Sequence, residues 1–183
     1  MKHYIDIVLK PDAEMRENIL RNKVYTKLHK ALFTLKSTEI GISFPNYKIM
    51  LGNVLRIHGT ESKLSELQTI HWLGGLSSYC QVSKIQAIPD KVMYRNISRI
   101  QANMTEAKLR RLIKRGTIST EEVKAYKAKM FSQGLDNPYL ELSSTSNGFK
   151  HRRYLVFGDQ RAEAIAGKFD FFGLSKVATI PWF

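Results

Sequence analysis

The first ninety residues change hydrophobic period repeatedly, and the order of those changes admits few folds. Residues 4–9 alternate Ile5, Ile7 and Leu9 against Tyr4, Asp6 and Val8, the period of a strand with one apolar face. Pro11-Asp12 opens a segment that reads as helix to about Leu35; in it Leu20, Val24, Leu28, Ala31, Leu32 and Leu35 fall within roughly 120° of one another. Residues 40–44 and 54–58 read as short strands around a polar loop, with Pro45 ending the first. Residues 61–79 carry Leu64, Leu67, Ile70 and Leu73 at helical spacing, weakened at the end by Gly74-Gly75, and residues 81–88 are a further strand stopped by Pro89-Asp90. Strand, helix, strand, strand, helix, strand is the ferredoxin-like order.

Beyond residue 90 the composition changes. Residues 1–90 carry 12 basic and 8 acidic side chains, residues 91–153 carry 14 and 5, and residues 154–183 carry 3 and 3. The excess centres on a strand-like piece, residues 94–101, that runs into a basic helix. On that helix Lys108, Arg110, Arg111, Lys114 and Arg115 occupy an arc of roughly 160°, while Leu109, Leu112 and Ile113 share the opposite arc of roughly 100°. Gly116 is placed to end it as the first residue past the cap. Ser119-Thr120-Glu121-Glu122 forms a capping box for another helix to about Phe131. Two strands follow, 139–144 and 150–157, joined by a Ser146-Asn147-Gly148 turn, and the apolar tail to Pro181-Trp182-Phe183 is expected to be docked. The expected fold class is therefore α+β: a ferredoxin-like domain over 1–90, and over 91–183 a second α+β domain with an arginine-rich helix.

A net charge of +13 so distributed points to a polyanionic partner. Nucleic acid fits better than a membrane, because no long apolar or amphipathic segment accompanies the charge. Cys80 is the sole cysteine, so no disulfide framework or cysteine zinc site is expected. The N-terminus lacks the pattern of a signal peptide, and a cytoplasmic protein is expected. The five histidines do not pair at ligand spacing with each other or with a carboxylate, and no acidic cluster suits a two-metal nuclease, so neither metal nor cofactor is expected. Cleavage of RNA by such a chain would use the 2′-hydroxyl as internal nucleophile, which needs a base and positioning but no metal. His29 is the best candidate base: it lies roughly 60° outside the apolar stripe of its helix. A solvated surface histidine is the plain alternative. Ser144 stands in the polar run 143–146, where a strand-end or turn serine is the more natural reading of the residues alone. Arg99 and Gln101, two apart on a strand, share one face, and both side chains can read base edges bidentately.

These pieces resemble the CRISPR-associated repeat-processing endoribonucleases of type I-F systems, the Csy family. The likeness runs through His3-Tyr4-Ile5-Asp6-Ile7, Lys27-Leu28-His29-Lys30-Ala31-Leu32, Ile40-Gly41-Ile42-Ser43-Phe44-Pro45 and Leu55-Arg56-Ile57-His58. It continues in Ser98-Arg99-Ile100-Gln101-Ala102, Leu109-Arg110-Arg111-Leu112-Ile113-Lys114-Arg115, Gly173-Leu174-Ser175-Lys176 and the final Pro181-Trp182-Phe183. The resemblance implies metal-free cleavage of the precursor CRISPR RNA on the 3′ side of a repeat hairpin, leaving a 2′,3′-cyclic phosphate and a 5′-hydroxyl. It implies catalytic roles for His29 and Ser144, base reading by Arg99 and Gln101, and phosphate contacts from Arg111 and Arg115, with Lys114 in place of a third arginine and Lys108 and Arg110 on the same basic arc. It also implies retention of the product within a larger surveillance complex of type I-F subunits. An active-site tyrosine of the family is Phe172 here, so a phenol hydroxyl cannot be essential. The aromatic that stacks beneath the stem falls on His151, with Phe149 nearby. The main alternative is a non-catalytic RNA-binding or ribonucleoprotein subunit.

Overall fold

The structure, a computed structural model, describes residues 1–100, 106–132, 137–143 and 150–183. Strand β1 (His3–Leu9) lies at the centre of the first sheet and turns Ile5, Ile7 and Leu9 into the core, where all three are buried. It pairs antiparallel with β3 (Val54–Gly59), and β3 pairs with β2 (Gly41–Ser43). On its other edge β1 meets β4 (Cys80–Val82) and, further along, β5 (Gln86–Ala87). The order β2-β3-β1-β4, with α1 (Glu17–Thr34) and α2 (Glu61–Thr69) in the connections, is the ferredoxin-like arrangement.

Local chemistry moved several boundaries. Asp12 Oδ1 accepts the N–H groups of Glu14 and Met15 at 3.0 and 2.7 Å, closing a turn of its own, so α1 starts at Glu17 rather than after Pro11. The second helix stops at Thr69 because His71 and Gly74 both adopt positive φ; only a 3₁₀ turn, Gly74–Tyr79, continues it. Residues 81–88 are two strands, not one. Ser83 Oγ accepts the N–H of Asp6 at 2.9 Å and donates to the Lys84 carbonyl, substituting for ladder bonds at the break.

The piece 94–101 divides as well. β6 (Met93–Arg95) pairs with the C-terminal β10 (Ile180–Trp182), whereas β7 (Ile97–Ile100) pairs with β9 (Lys150–Phe157), which also carries β8 (Tyr139–Ser143). The change of sheet occurs at Asn96, whose carbonyl accepts Gly158 N–H and whose side chain donates to the Lys176 carbonyl, both at 2.9 Å. Helix α3 (Glu106–Lys114) ends as expected: Gly116, at φ 65°, bonds back to Ile113, and Thr117 N–H reaches Leu112 O. Helix α4 (Thr120–Ser132) opens on the reciprocal Ser119–Glu122 capping box.

Among the described residues the buried apolar side chains, Leu109 of α3 excepted, form one connected cluster that crosses residue 90, joining Ile5, Leu28 and Ile42 to Ile97, Leu155, Leu174 and Ile180. The tail is docked: β10 lies against β2, and Arg56, bidentate on Asp6 at 2.7 and 2.9 Å, also donates to the Phe183 carbonyl. Among the described residues no helix is long and apolar enough to cross a membrane.

Candidate active site and nucleic-acid interface

The histidines separate by surroundings. His58 is fully buried on β3 against the Ser43 hydroxyl at 2.7 Å, and desolvation pushes its pKa down to about 3. His71 occupies the positive-φ turn after α2. His151 is exposed on β9, in register with Leu142. His29, on α1, is half-buried and held from two sides. Its Nδ1 lies 2.8 Å from the Phe171 carbonyl, and its ring stacks on Phe172 with centroids 3.6 Å apart and planes within 10°. A carbonyl can only accept, so Nδ1 carries the hydrogen and the neutral ring has its lone pair on Nε2. Desolvation lowers the pKa of this imidazole; the Phe171 carbonyl opposes that, the Arg153 charge adds to it, and Asp170 and Lys30 contribute smaller effects of opposite sign.

What holds His29 is a tight turn over residues 170–174. Asp170 Oδ1 accepts from Phe172 N and Leu174 N at 2.9 and 3.0 Å, and its own N–H donates to the Leu174 carbonyl at 2.8 Å. Gly173 takes φ 70° within the turn, and its carbonyl accepts the N–H of Ile42 at 3.1 Å, fastening the turn to β2. From α1, the buried Tyr25 donates its hydroxyl to the Phe172 carbonyl at 2.8 Å. Residues distant in sequence thus present one carbonyl and one aromatic face to His29.

The same turn forms a wall of an open cleft of about 780 Å³. Ser98, Arg99 and Ile100 of β7 and Val156 of β9 line it together with Lys168, Phe169, Asp170, Leu174, Ser175 and Lys176. Arg99 is exposed in this cleft, so a cation at the end of β7 and the turn that fixes His29 border a common space. On α3 the side chains of Lys108, Arg110, Arg111 and Lys114 are all exposed, as is that of Arg115 just past its end. Arg110 approaches Glu106 at 4.0 Å and Arg111 Nε donates to the Ala107 carbonyl. Leu109 is the buried anchor of that helix; Ile113, expected on the apolar arc, is 52 % exposed. Ser144, Gln101 and Phe149 lie outside the described residues. Among the described residues no group of three metal-ligating side chains assembles.

Arg153 was not singled out from the sequence. It is 7 % exposed on β9, with its guanidinium carbon 3.4 Å from the centroid of the Phe172 ring. Strand alternation carried the signal: in 150–157, Arg153 shares its face with Leu155 and Phe157, an inward position for a charge. Phe171 and Asp170 carry no signal in the sequence, because a backbone carbonyl and a turn-capping carboxylate have no motif of their own.

The model of a family described as CRISPR-associated protein (Cas_Csy4) matches residues 4–183. A protein of Escherichia coli (strain UTI89 / UPEC) named CRISPR-associated endonuclease Cas6/Csy4 is 35 % identical over 184 residues, covering all of both chains. One of the same name from Pseudomonas aeruginosa (strain UCBPP-PA14) is 36 % identical over 187 residues, again covering all of both. Among solved structures, CRISPR endoribonuclease Cse3 bound to a 19 nt RNA aligns over 99 % of this chain and 100 % of that one, with a TM-score of 0.38 and 11 % identity.

Proposed function

The chain belongs to the Cas_Csy4 family of CRISPR-associated proteins, and from that premise we propose that it is an endoribonuclease that binds the repeat hairpin of precursor CRISPR RNA and cuts at the 3′ base of the stem without a metal ion. The observation that carries the chemistry is the commitment of His29 Nδ1–H to the Phe171 carbonyl, which leaves Nε2 as the basic nitrogen. Nε2 takes the proton of the 2′-hydroxyl on the nucleotide 5′ of the cut. The 2′-oxygen attacks phosphorus and the bond to the 5′-oxygen breaks. That oxygen takes a proton from water as it leaves and the His29 imidazolium returns its proton to solvent, so the products are a 2′,3′-cyclic phosphate and a 5′-hydroxyl. Ser144 positions the 2′-hydroxyl, and Phe172 supplies the face against which the imidazole is held.

The division of labour follows the chain. Residues 1–90 contribute the histidine, and residues 91–183 contribute the RNA grip. Arg99 and Gln101 read bases at the foot of the stem. Arg111, Lys114 and Arg115 hold its phosphates, with Lys108 and Arg110 adding positive field. The deep, narrow major groove of A-form RNA admits a helix poorly, but near the end of a short hairpin a ladder of long side chains reaches in. His151 stacks beneath the closing pair. After cleavage the hairpin stays bound, and the protein joins the other subunits of a type I-F surveillance complex.

Incubation with a cognate repeat hairpin in EDTA tests the reaction. The expected outcome is a single cut, blocked by a 2′-deoxy substitution at the nucleotide 5′ of the scissile phosphate and by His29→Ala, with hairpin affinity retained in both. Cleavage by His29→Ala at the wild-type rate refutes the proton-acceptor role, and tight binding with no cutting by the wild type favours the non-catalytic RNA-binding alternative.

A further inference from the structure

Arg153 is a cation in a place that charges avoid. It is buried on the inward face of β9, and among the described residues no carboxylate comes within ion-pair distance of it. Nor does its Nε find a hydrogen-bond partner among them. Burying a guanidinium this way is costly unless something nearby uses the charge. What it meets is the face of Phe172, at 3.4 Å, while His29 stacks on the same ring at 3.6 Å. Two groups that close to one centroid cannot share a face, so imidazole and guanidinium sandwich the phenyl ring and stand about 7 Å apart.

Several elements bring charged or titratable groups toward His29, and of these Arg153, Asp170 and Lys30 act on its imidazole directly. Helix α1 itself brings Lys30 and the Tyr25 hydroxyl, β9 brings Arg153, and β7 adds Arg99 behind it. The 170–174 turn brings Asp170, the one carboxylate among the described residues that acts on the imidazole, whose Oδ1 is occupied by two backbone N–H groups. Glu141 of β8 meets α1 two turns earlier, through its N–H to Asn22, and its carboxylate lies 3.8 Å from Arg152. The fixed charges around the imidazole are thus mostly positive, and Arg153 is the one locked in place by stacking.

We propose that Arg153 is a positioning residue of the cleavage reaction: its guanidinium clamps Phe172 from the side opposite His29, fixing the plane of the imidazole, and its charge disfavours the imidazolium so that His29 meets the 2′-hydroxyl as a neutral base. This rests on the reading of His29 as proton acceptor. A phenyl ring is sufficient for this arrangement, because only its two π-faces are used, one for the acceptor and one for the cation. Desolvation and Arg153 act on the imidazole in the same direction, both lowering its pKa.

NMR titration of the histidine side chains in the RNA-free protein separates this proposal from the reaction it serves, with the His29 signal identified by its loss in His29→Ala. In Arg153→Met the His29 midpoint is expected to move to higher pH by about half a unit or more. In Arg153→Lys, which keeps the charge and loses the flat stack, it is expected to stay near the wild-type value while the cleavage plateau falls. Single-turnover cleavage by Arg153→Met should show its acidic limb displaced upward by the same amount. An unmoved His29 midpoint in a folded Arg153→Met overturns the proposal, as does an equal shift in Arg153→Lys, which would assign the effect to packing alone. Should Arg153→Met fail to fold, the lysine variant still decides: unchanged cleavage in Arg153→Lys refutes the clamp. A midpoint that moves while the cleavage limb does not refutes His29 as proton acceptor, and with it the part assigned to Arg153.

Discussion

Replacing three glycines by alanine separates the backbone cost from the steric cost at the turn that holds His29. At Gly173 an added Cβ meets both. The residue sits at φ 70°, where an L side chain costs roughly 1–2 kcal/mol. The new atom would also lie 2.7 Å from Ile42 Cγ2 and 3.3 Å from Ile42 N. Ile42 is wholly buried on β2 and cannot swing aside, so overpacking adds about 1–3 kcal/mol. Gly173→Ala should therefore cost about 2–5 kcal/mol and, at about 2–4 °C per kcal/mol for a chain of this size, lower Tm by roughly 4–20 °C. Gly116, at φ 65° with nothing within 4 Å of its would-be Cβ, isolates the first contribution and should lose about 1–2 kcal/mol. Gly75 has open space and no positive φ, so Gly75→Ala should be neutral within about 0.5 kcal/mol or slightly stabilising. Urea unfolding of the three variants measures the series. Single-turnover cleavage should fall most in Gly173→Ala, because the displaced turn carries both the Phe171 carbonyl and the Phe172 ring. Equal stabilities for Gly173→Ala and Gly116→Ala would refute the steric contribution, and a Gly173→Ala as stable as wild type would refute the account of the turn altogether.

Two further outcomes are expected. Arg111→Ala with Arg115→Ala should weaken hairpin binding and flatten the slope of log K against log salt by about 0.9 for each lost phosphate contact; filter binding from low to moderate salt measures it, and an unchanged slope refutes the phosphate-gripping helix. The buried His58, with its pKa pushed down to about 3, binds a proton in the unfolded chain long before it does in the folded one. Its contribution is intact above the ordinary histidine value and is lost as pH falls from there toward 3, at up to about 1.4 kcal/mol per pH unit. Urea midpoints measured between pH 7 and 4.5 should therefore drop more steeply for wild type than for His58→Gln; parallel curves would mean that His58 is not buried neutral.

Much of the architecture was legible because it is periodic or capped locally. The alternation of Ile5, Ile7 and Leu9 identified the central strand, and the Ser119–Glu122 pair and Gly116 marked helix ends through bonds within a few residues. The misplaced boundaries share a cause: side chains that satisfy backbone groups off-pattern. Asp12 delays α1, Ser83 interrupts the edge strand, and Asn96 marks the point where one apparent strand passes between two sheets. None of these changes the hydrophobic period, so a periodicity argument passes over them.

The linear chain by itself determined the strand-helix alternation, the basic stripe on α3 and the isolation of His29 from its helix's apolar face, because each depends on spacing within one element. The tertiary structure alone decided the surroundings of His29. Residues 170–174 bring a carbonyl that dictates its tautomer, Phe172 sets the plane of its ring, and Arg153 approaches that ring from a third segment. Such long-range contacts follow from which sheets pair and which tail docks, and a turn that has no periodicity leaves no trace of its partners in the sequence around it.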